Sequence, residues 1–155
     1  GLTRAEKKGE REARQGIVDS YIHENRIGVL IELNCETDFV ARTDDFKALA
    51  HDVAMHIAAS SPEYVSNEEI PAEVREEKAK EFKEKVVAEG KPAEMADKIV
   101  EGMLNKYFAE RCLLDQPFIK NPDQTVGDLV KENVAKLGEN IVVRKMARIE
   151  LGQVN

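Results

Sequence analysis

The chain has 155 residues, the size of one ordinary domain, and 42% of them are hydrophobic, which is enough for a substantial core. Its net charge of −7 argues against binding to a nucleic-acid backbone, because that requires a basic surface. No apolar run approaches the roughly 18 residues of a membrane span. The two cysteines, Cys35 and Cys112, lack CxxC spacing and fit a reducing cytosol better than a disulfide scaffold.

The N-terminal residues 1–15 are polar and helix-prone, and Gly16 ends this pattern. The sequence starts at Gly1 rather than Met and reads as the middle of a longer chain. We therefore expect residues 1–15 to be a linker or helix that follows an absent N-terminal piece. Residues 16–155 are expected to form the main domain.

Two segments that alternate in polarity, 17–23 and 29–36, flank a short turn at 24–28. This pattern predicts an antiparallel β-hairpin. In the second segment one face is apolar, and it consists of Val29, Ile31, Leu33 and Cys35.

Helices are predicted for much of the chain after Thr43, which is the predicted N-cap of the first of them. From Phe46 to Ala58 the apolar side chains repeat at the spacing of one helical face. Further helices are predicted at 67–90, 91–114 and 125–138, and loops or extended segments at 60–66 and 115–124.

A last alternating segment, 139–152, predicts a third strand, although Lys145 interrupts its apolar side unless a bulge turns it away. Strands, then helices, then a strand indicate an α+β domain in which a small three-stranded antiparallel sheet packs against helices. The second sheet face also carries apolar residues, which are either scattered and covered by the N-terminal helix or form a dimerisation face: Leu30, Val142 and Met146.

The sequence contains no phosphate-binding loop, no dinucleotide fingerprint and no hydrolase or metalloprotease motif. His51 and His56 are five residues apart, which does not stack them on one helix face as metal ligands at i and i+4. We therefore expect no metal, no cofactor and no enzymatic activity.

Asp38 and Phe39 place an acid and a bare aromatic ring between a strand and a helix. Locally, Asp38 could cap a turn while Phe39 packs onto the next helix. Glu36 and Asp38 could also form a carboxylate pair for acid–base chemistry, or the acid and the ring could project into a partner. The local pattern alone favours the cap and the packed ring.

Five blocks resemble bacterial translation elongation factor Ts, in the same order and at similar spacing, and they cover essentially the whole chain. T-D-F-V-A and G-E-N-I are the specific signatures, and one core half is present, as in the short form of the family. The blocks are NCETDFVAR (34–42), AMHIAASSPEYVS (54–66), EGKPAEMADKIVEGMLNKY (89–107), QPFIK (116–120) and LGENIVVRKMARIELG (137–152).

The resemblance implies a guanine-nucleotide exchange factor for elongation factor Tu, a GTPase from which it promotes GDP release by disturbing the Mg²⁺ and nucleotide site. The short form implies a homodimer whose sheets pack face to face, so that each partner contacts two chains. A cytoplasmic protein of a bacterium, or of an organelle of bacterial descent, is implied as well. The family's small N-terminal helical module has no counterpart here, so partial exchange activity is expected.

The resemblance also implies which residues contact the partner. Asp38 and Phe39 match the pair that enters the nucleotide-binding domain near its magnesium site. Contacts with the same domain are implied for Thr37, Val40, His23, Leu137 and Gly138. Contacts with the β-barrel part of the partner are implied for Ile119 and Lys120.

Two other functions stay open on the sequence alone. The first is a structural dimerisation or interaction module that has no exchange activity of its own. The second is a small cysteine- or carboxylate-dependent enzyme that uses Cys35, His23 and Asp38.

Overall fold

The computed structural model describes residues 8–154. Along the chain the elements are β1 (Gln15–His23), β2 (Ile27–Cys35), the short helix α1 (Asp38–Ala41), α2 (Asp44–Ser60), α3 (Ala72–Ala88), α4 (Ala93–Ala109), β3 (Pro117–Phe118), β4 (Asn121–Thr125), α5 (Val126–Leu137) and β5 (Val142–Glu150). Short 3-10 turns lie at Asn67–Glu69 and Leu113–Asp115.

The main sheet is three-stranded and antiparallel, in the order β1-β2-β5, which confirms the predicted α+β class. Gln15 pairs with Cys35 and His23 pairs with Ile27, so β1 and β2 form the predicted hairpin. Its turn places Glu24 and Asn25 at positive φ. A second, two-stranded sheet joins β3 and β4 within the region that was predicted to be extended or loop.

The core lies between the sheet and α2. All four residues of the apolar face predicted for β2 are buried, because they pack against the predicted apolar face of α2. Burying each large aliphatic side chain contributes about 1.5–3 kcal/mol. The α2 residues in this cluster are Phe46, Leu49, Ala50, Val53, Ala54, Ile57 and Ala58.

The helix predicted for 67–90 begins only at Ala72, because Pro71 holds the preceding residue Ile70 in an extended conformation. The helix predicted for 91–114 ends at Ala109. Beyond it, the amide of Leu113 donates to the carbonyl of Tyr64 rather than to its own helix. The two helices, α3 and α4, pack mainly on each other.

Of the helix-prone N-terminal stretch, residues 1–7 lie outside the described part, and residues 9–14 form a turn and irregular backbone. Their carbonyl groups bond to the core instead of to a helix. The side-chain amide of Asn140 donates to the carbonyl of Arg11 over 2.6 Å, and the guanidinium group of Arg144 donates to the carbonyl of Ala13 over 3.2 Å. Tertiary contacts therefore replace helical hydrogen bonds in residues 9–14, whereas Lys8 is helical.

A β-bulge in β5 changes which side chains share a face. Leu33 pairs with Val143 but Glu32 pairs with Lys145, so Arg144 is the extra residue. The bulge turns Lys145 to the open face, which explains its place in an otherwise apolar pattern. Strict alternation places Met146 on the open face, but the structure has it opposite Ile31 on the helix-covered face.

The open face of the sheet nevertheless carries exposed apolar side chains. Leu30 and Val142 lie on it, as predicted. Val18, Ile22 and Ile149 share that face and are mostly exposed. Within residues 8–154, no helix is long and apolar enough to cross a lipid bilayer.

Candidate protein-binding site

Helix α1 follows β2 almost directly and carries the acid and the aromatic ring at its start. Its N-cap is Thr37, whose hydroxyl accepts a hydrogen bond from the amide of Val40 over 3.3 Å, so Asp38 is not the cap. Val40 and Ala41 are buried and anchor this single turn. Phe39 points outwards with 77% of its surface exposed, so it does not pack onto α2.

Asp38 is paired only at the surface. Its carboxylate lies 3.1 Å from the Nε atom of Arg42, one turn further along, and both side chains are mostly exposed. Exposed pairs of this kind contribute about 0.3–0.5 kcal/mol, because water screens both charges. An approaching protein can therefore separate them at little cost.

A carboxylate from a distant part of the chain holds the backbone before α1. Glu139 accepts hydrogen bonds from the amides of Glu36 and Thr37, each over 3.0 Å, and from the hydroxyl of Thr37 over 2.7 Å. In return, the carboxylate of Glu36 accepts from the backbone amide of Asn140 over 2.6 Å. These reciprocal bonds fix the segment that presents Asp38 and Phe39.

Glu139 was not among the residues predicted for the site. Glu139 is the glutamate of the G-E-N-I signature, and this is the one sequence feature that could have indicated it. The sequence suggested no physical role for that signature. The pairing joins positions that are 102 residues apart, so no local pattern reveals it.

Leu137 and Gly138 end α5 immediately before Glu139. Gly138 has a φ of 77°, the left-handed conformation that glycine adopts readily, and its amide donates to the carbonyl of Val134. The structure thus brings six predicted residues together at one end of the sheet. This first surface consists of residues 37–40, Leu137 and Gly138.

The other three predicted residues lie at the opposite end of the sheet. His23 ends β1, whose first residue pairs with Cys35. The nine residues of β1 are joined by eight steps of about 3.3 Å each, which separates the two ends by roughly 26 Å. His23 and Ile119 line one groove of about 510 Å³, together with Tyr21 and Met55. We call His23, Ile119 and Lys120 the second surface.

Polar contacts orient two members of the second surface. The Nδ1 atom of His23 lies 3.0 Å from the hydroxyl of Tyr21. The ammonium group of Lys120 lies 3.1 Å from a carboxylate oxygen of Asp52 on α2. Ile119 is partly exposed between them, so the second surface combines a half-exposed ring, an apolar side chain and a cation.

The residues proposed for a thiol enzyme are not assembled. Cys35 and His23 are at opposite ends of the sheet, and Cys35 and Cys112 are both fully buried. Burial is the main cause that raises the pKa of each thiol to about 11, and nearby carboxylates, Glu139 beside Cys35 and Asp115 beside Cys112, contribute to that rise. In the described part of the chain, no cluster of three or more potential ligand side chains could hold a metal ion.

We expect Cys35 and Cys112 to react slowly with Ellman's reagent in the native protein at pH 8. With pKa values of about 11, only about one thiol in a thousand is ionised at that pH, and the thiolate is the reactive form. The same protein unfolded in urea provides the control and should react at the rate of an ordinary thiol. Rapid labelling of Cys35 in the native state would support the enzyme hypothesis.

The variant Glu139→Ala should loosen the segment before α1. It removes the carboxylate that accepts from the amides of Glu36 and Thr37 and from the Thr37 hydroxyl, and an unsatisfied donor costs about 1–3 kcal/mol. We expect a loss of that size in urea unfolding and faster hydrogen exchange at the Thr37 amide. Glu101→Ala, at an exposed position on α4, is the matched control. Unchanged exchange at Thr37 would contradict the role given to Glu139.

Comparison with known proteins identifies the family of the chain. The family model described as "Elongation factor TS" matches residues 2–153. Elongation factor Ts of Heliobacterium modesticaldum is 57% identical over 99% of this chain and 72% of its own length. The proteins of the same name from Thermodesulfovibrio yellowstonii and Carboxydothermus hydrogenoformans are each 56% identical over 99% of this chain, and over 76% and 71% of their own lengths. The chain belongs to the elongation factor Ts family.

Proposed function

We propose that this chain promotes guanine-nucleotide exchange on elongation factor Tu by inserting Asp38 and Phe39 near the partner's magnesium site. The observation that carries the proposal is the exposure of Phe39. Its large apolar ring has 77% of its surface exposed, although the turn that carries it is held by Glu139 and by the burial of Val40 and Ala41. Such rings are usual anchors of protein interfaces, because their burial removes much apolar surface from water.

The nucleotide site of a GTPase depends on a few positioned groups. Backbone amides and a lysine hold the phosphates, and Mg²⁺ bridges phosphate oxygens. Phe39 would displace the structure that supports the metal, while the Asp38 carboxylate, released from Arg42, would compete for its hydrogen bonds. A flexible segment could not displace that structure, so the hydrogen bonds that residues 36 and 37 donate to Glu139 are needed to hold the turn in place.

Exchange of this kind requires no bond to be made or broken in the factor. The factor must bind the nucleotide-free partner more tightly than the nucleotide-bound one. Because the coupling is reciprocal, nucleotide then weakens factor binding by the same ratio. The scattered and buried thiols support this binding role over that of an enzyme.

We propose that the chain forms a homodimer through the open face of the sheet. Val18, Ile22, Leu30 and Ile149 expose apolar surface there, and water is excluded if a second copy covers it. The first and second surfaces of one chain are roughly 26 Å apart. A dimer would let one partner use the first surface of one copy and the second surface of the other.

Two further features complete the proposal. The net charge of −7 supports a protein partner without direct nucleic-acid contact. The bacterial relatives support a bacterial cytoplasmic location, with an organelle of bacterial descent as the alternative.

A second candidate function is a dimerisation module without exchange activity. The exposed apolar face of the sheet favours it, because that face requires only self-association.

Phe39→Ala should reduce GDP release from elongation factor Tu more than Asp38→Ala does. Loss of an aromatic anchor that is buried in the complex costs about 2 kcal/mol or more of binding free energy. This corresponds to a roughly 30-fold slower GDP release at limiting factor concentration. The measurement is the release rate of fluorescent GDP at limiting and saturating factor. Val87→Ala, at an exposed apolar position on α3, is the control.

Parent-like release rates for both the Phe39 and Asp38 variants would refute the insertion mechanism. A sizing column with nucleotide-free elongation factor Tu separates the remaining functions. Binding together with GDP release in the exchange assay supports the proposal, and binding without GDP release supports an interaction module. No binding refutes the proposal and leaves the dimerisation module, which needs only self-association.

Leu30→Asp should convert the dimer to a monomer at micromolar concentration, because it places a charge in the middle of the apolar open face. Sedimentation equilibrium measures the change. Val87→Asp introduces the same charge on α3 and should leave the dimer intact. A parent protein that sediments as a monomer would overturn the proposed role of the open face.

A further inference from the structure

His56 is a fully buried titratable residue on α2 that the proposed exchange mechanism does not use. Both of its ring nitrogens have partners. The amide of Ile119 donates to Nδ1 over 3.2 Å, and Nε2 lies 2.9 Å from the side-chain oxygen of Gln116. Because a backbone amide can only donate, Nδ1 must be unprotonated, and the proton of the neutral ring is on Nε2.

Gln116 is held in a matching orientation. Its side-chain nitrogen donates to the carbonyl of Glu110 at the end of α4 over 2.9 Å, so its oxygen must face His56. Its own carbonyl accepts from the amide of Val126 at the start of α5 over 3.0 Å. The hydrogen-bonded chain therefore runs from the end of α4 through Gln116 and His56 to the backbone of Ile119.

The segment that receives these bonds has little regular structure to hold it. β3 has only two residues, and the first of them, Pro117, has no amide hydrogen to donate. The register also shifts between Pro117 and Phe118. Phe118 is buried, with its ring centroid 6.1 Å from that of His56, and the next two residues are Ile119 and Lys120 of the second surface.

Helix α2 also holds the following residue. Asp52 lies one turn before His56 on the same helix and pairs with the Lys120 ammonium group at 3.1 Å. Residues at i and i+4 are neighbours on a helix surface. One stretch of α2 thus fixes the backbone at Ile119 through His56 and the side chain of Lys120 through Asp52.

We infer that His56 is a positioning residue for partner binding: its neutral ring fixes the backbone at Ile119 and so orients Ile119 and Lys120 of the second surface. This inference rests on the proposed function, in which those two residues contact the partner. Burial lowers the pKa of His56, which keeps the ring neutral at pH 7. An apolar residue of similar size would fill the space but leave the Ile119 amide without an acceptor.

Two uncharged variants test the inference as a matched pair. In His56→Asn the amide oxygen occupies the place of Nδ1 and can still accept from Ile119. In His56→Gln the longer amide reaches the place of Nε2, so it can bond to Gln116 but leaves the Ile119 amide unpaired. We expect slow hydrogen exchange at the Ile119 amide in the parent and in His56→Asn, and fast exchange in His56→Gln.

The partner assay measures GDP release from elongation factor Tu as factor concentration is varied. His56→Gln should raise the half-saturating concentration by about tenfold, the usual effect of one unpaired amide, and His56→Asn by much less. The rate at saturating factor should stay at the parent value in both, because the first surface is intact. A general loss of fold would instead lower the amount of active protein in both variants alike.

Nitrogen NMR of the parent protein gives an independent test that needs no variant. The proton of His56 should be on Nε2, and a proton on Nδ1 would overturn the inference. Equal Ile119 exchange in the two variants would also overturn it. Fast exchange in His56→Gln without any rise in the half-saturating concentration would instead refute the partner contact at Ile119, on which the inference rests.

Discussion

The hydrogen bonds that residues 36 and 37 donate to the carboxylate of Glu139 are the constraint on which the proposed contact depends. An exposed phenylalanine loses contact with water only in a complex, so in the free protein it is held out by the backbone beneath it. That backbone is a single helical turn, which is too short to be stable alone. The carboxylate of Glu139, the cap of Thr37 and the burial of Val40 together supply the missing rigidity.

The packing of β2 against α2 sets the positions of the two predicted surfaces relative to each other. β2 runs directly into the first surface, while α2 holds the second through Asp52 and His56. Their apolar faces form the same core cluster, so the distance between the surfaces is set by close-packed side chains. In the proposed dimer, the fixed position of both surfaces on each chain would also fix the distance from the first surface of one copy to the second surface of the other.

The bulge at Arg144 gives the two sheet faces different characters. It directs Met146 into the helix-covered face and Lys145 to the open face, opposite Glu32. Arg144 itself bonds to the side chain of Asn34 and to the carbonyl of Ala13, so the extra residue is used to hold the N-terminal segment. The open face keeps its apolar side chains among a few charges, a composition suited to an interface that must form in water.

The sequence by itself determined the α+β class, the β1–β2 hairpin and the buried faces of β2 and α2, because side-chain periodicity is a local property of a strand or helix. Its signature blocks also indicated the family and the importance of Asp38 and Phe39. Only the tertiary structure decided that Phe39 is exposed, that Met146 is turned inwards and that α4 ends at Ala109. Each of these depends on pairing between distant residues, such as Thr37 with Glu139 or Leu113 with Tyr64, which no local pattern records.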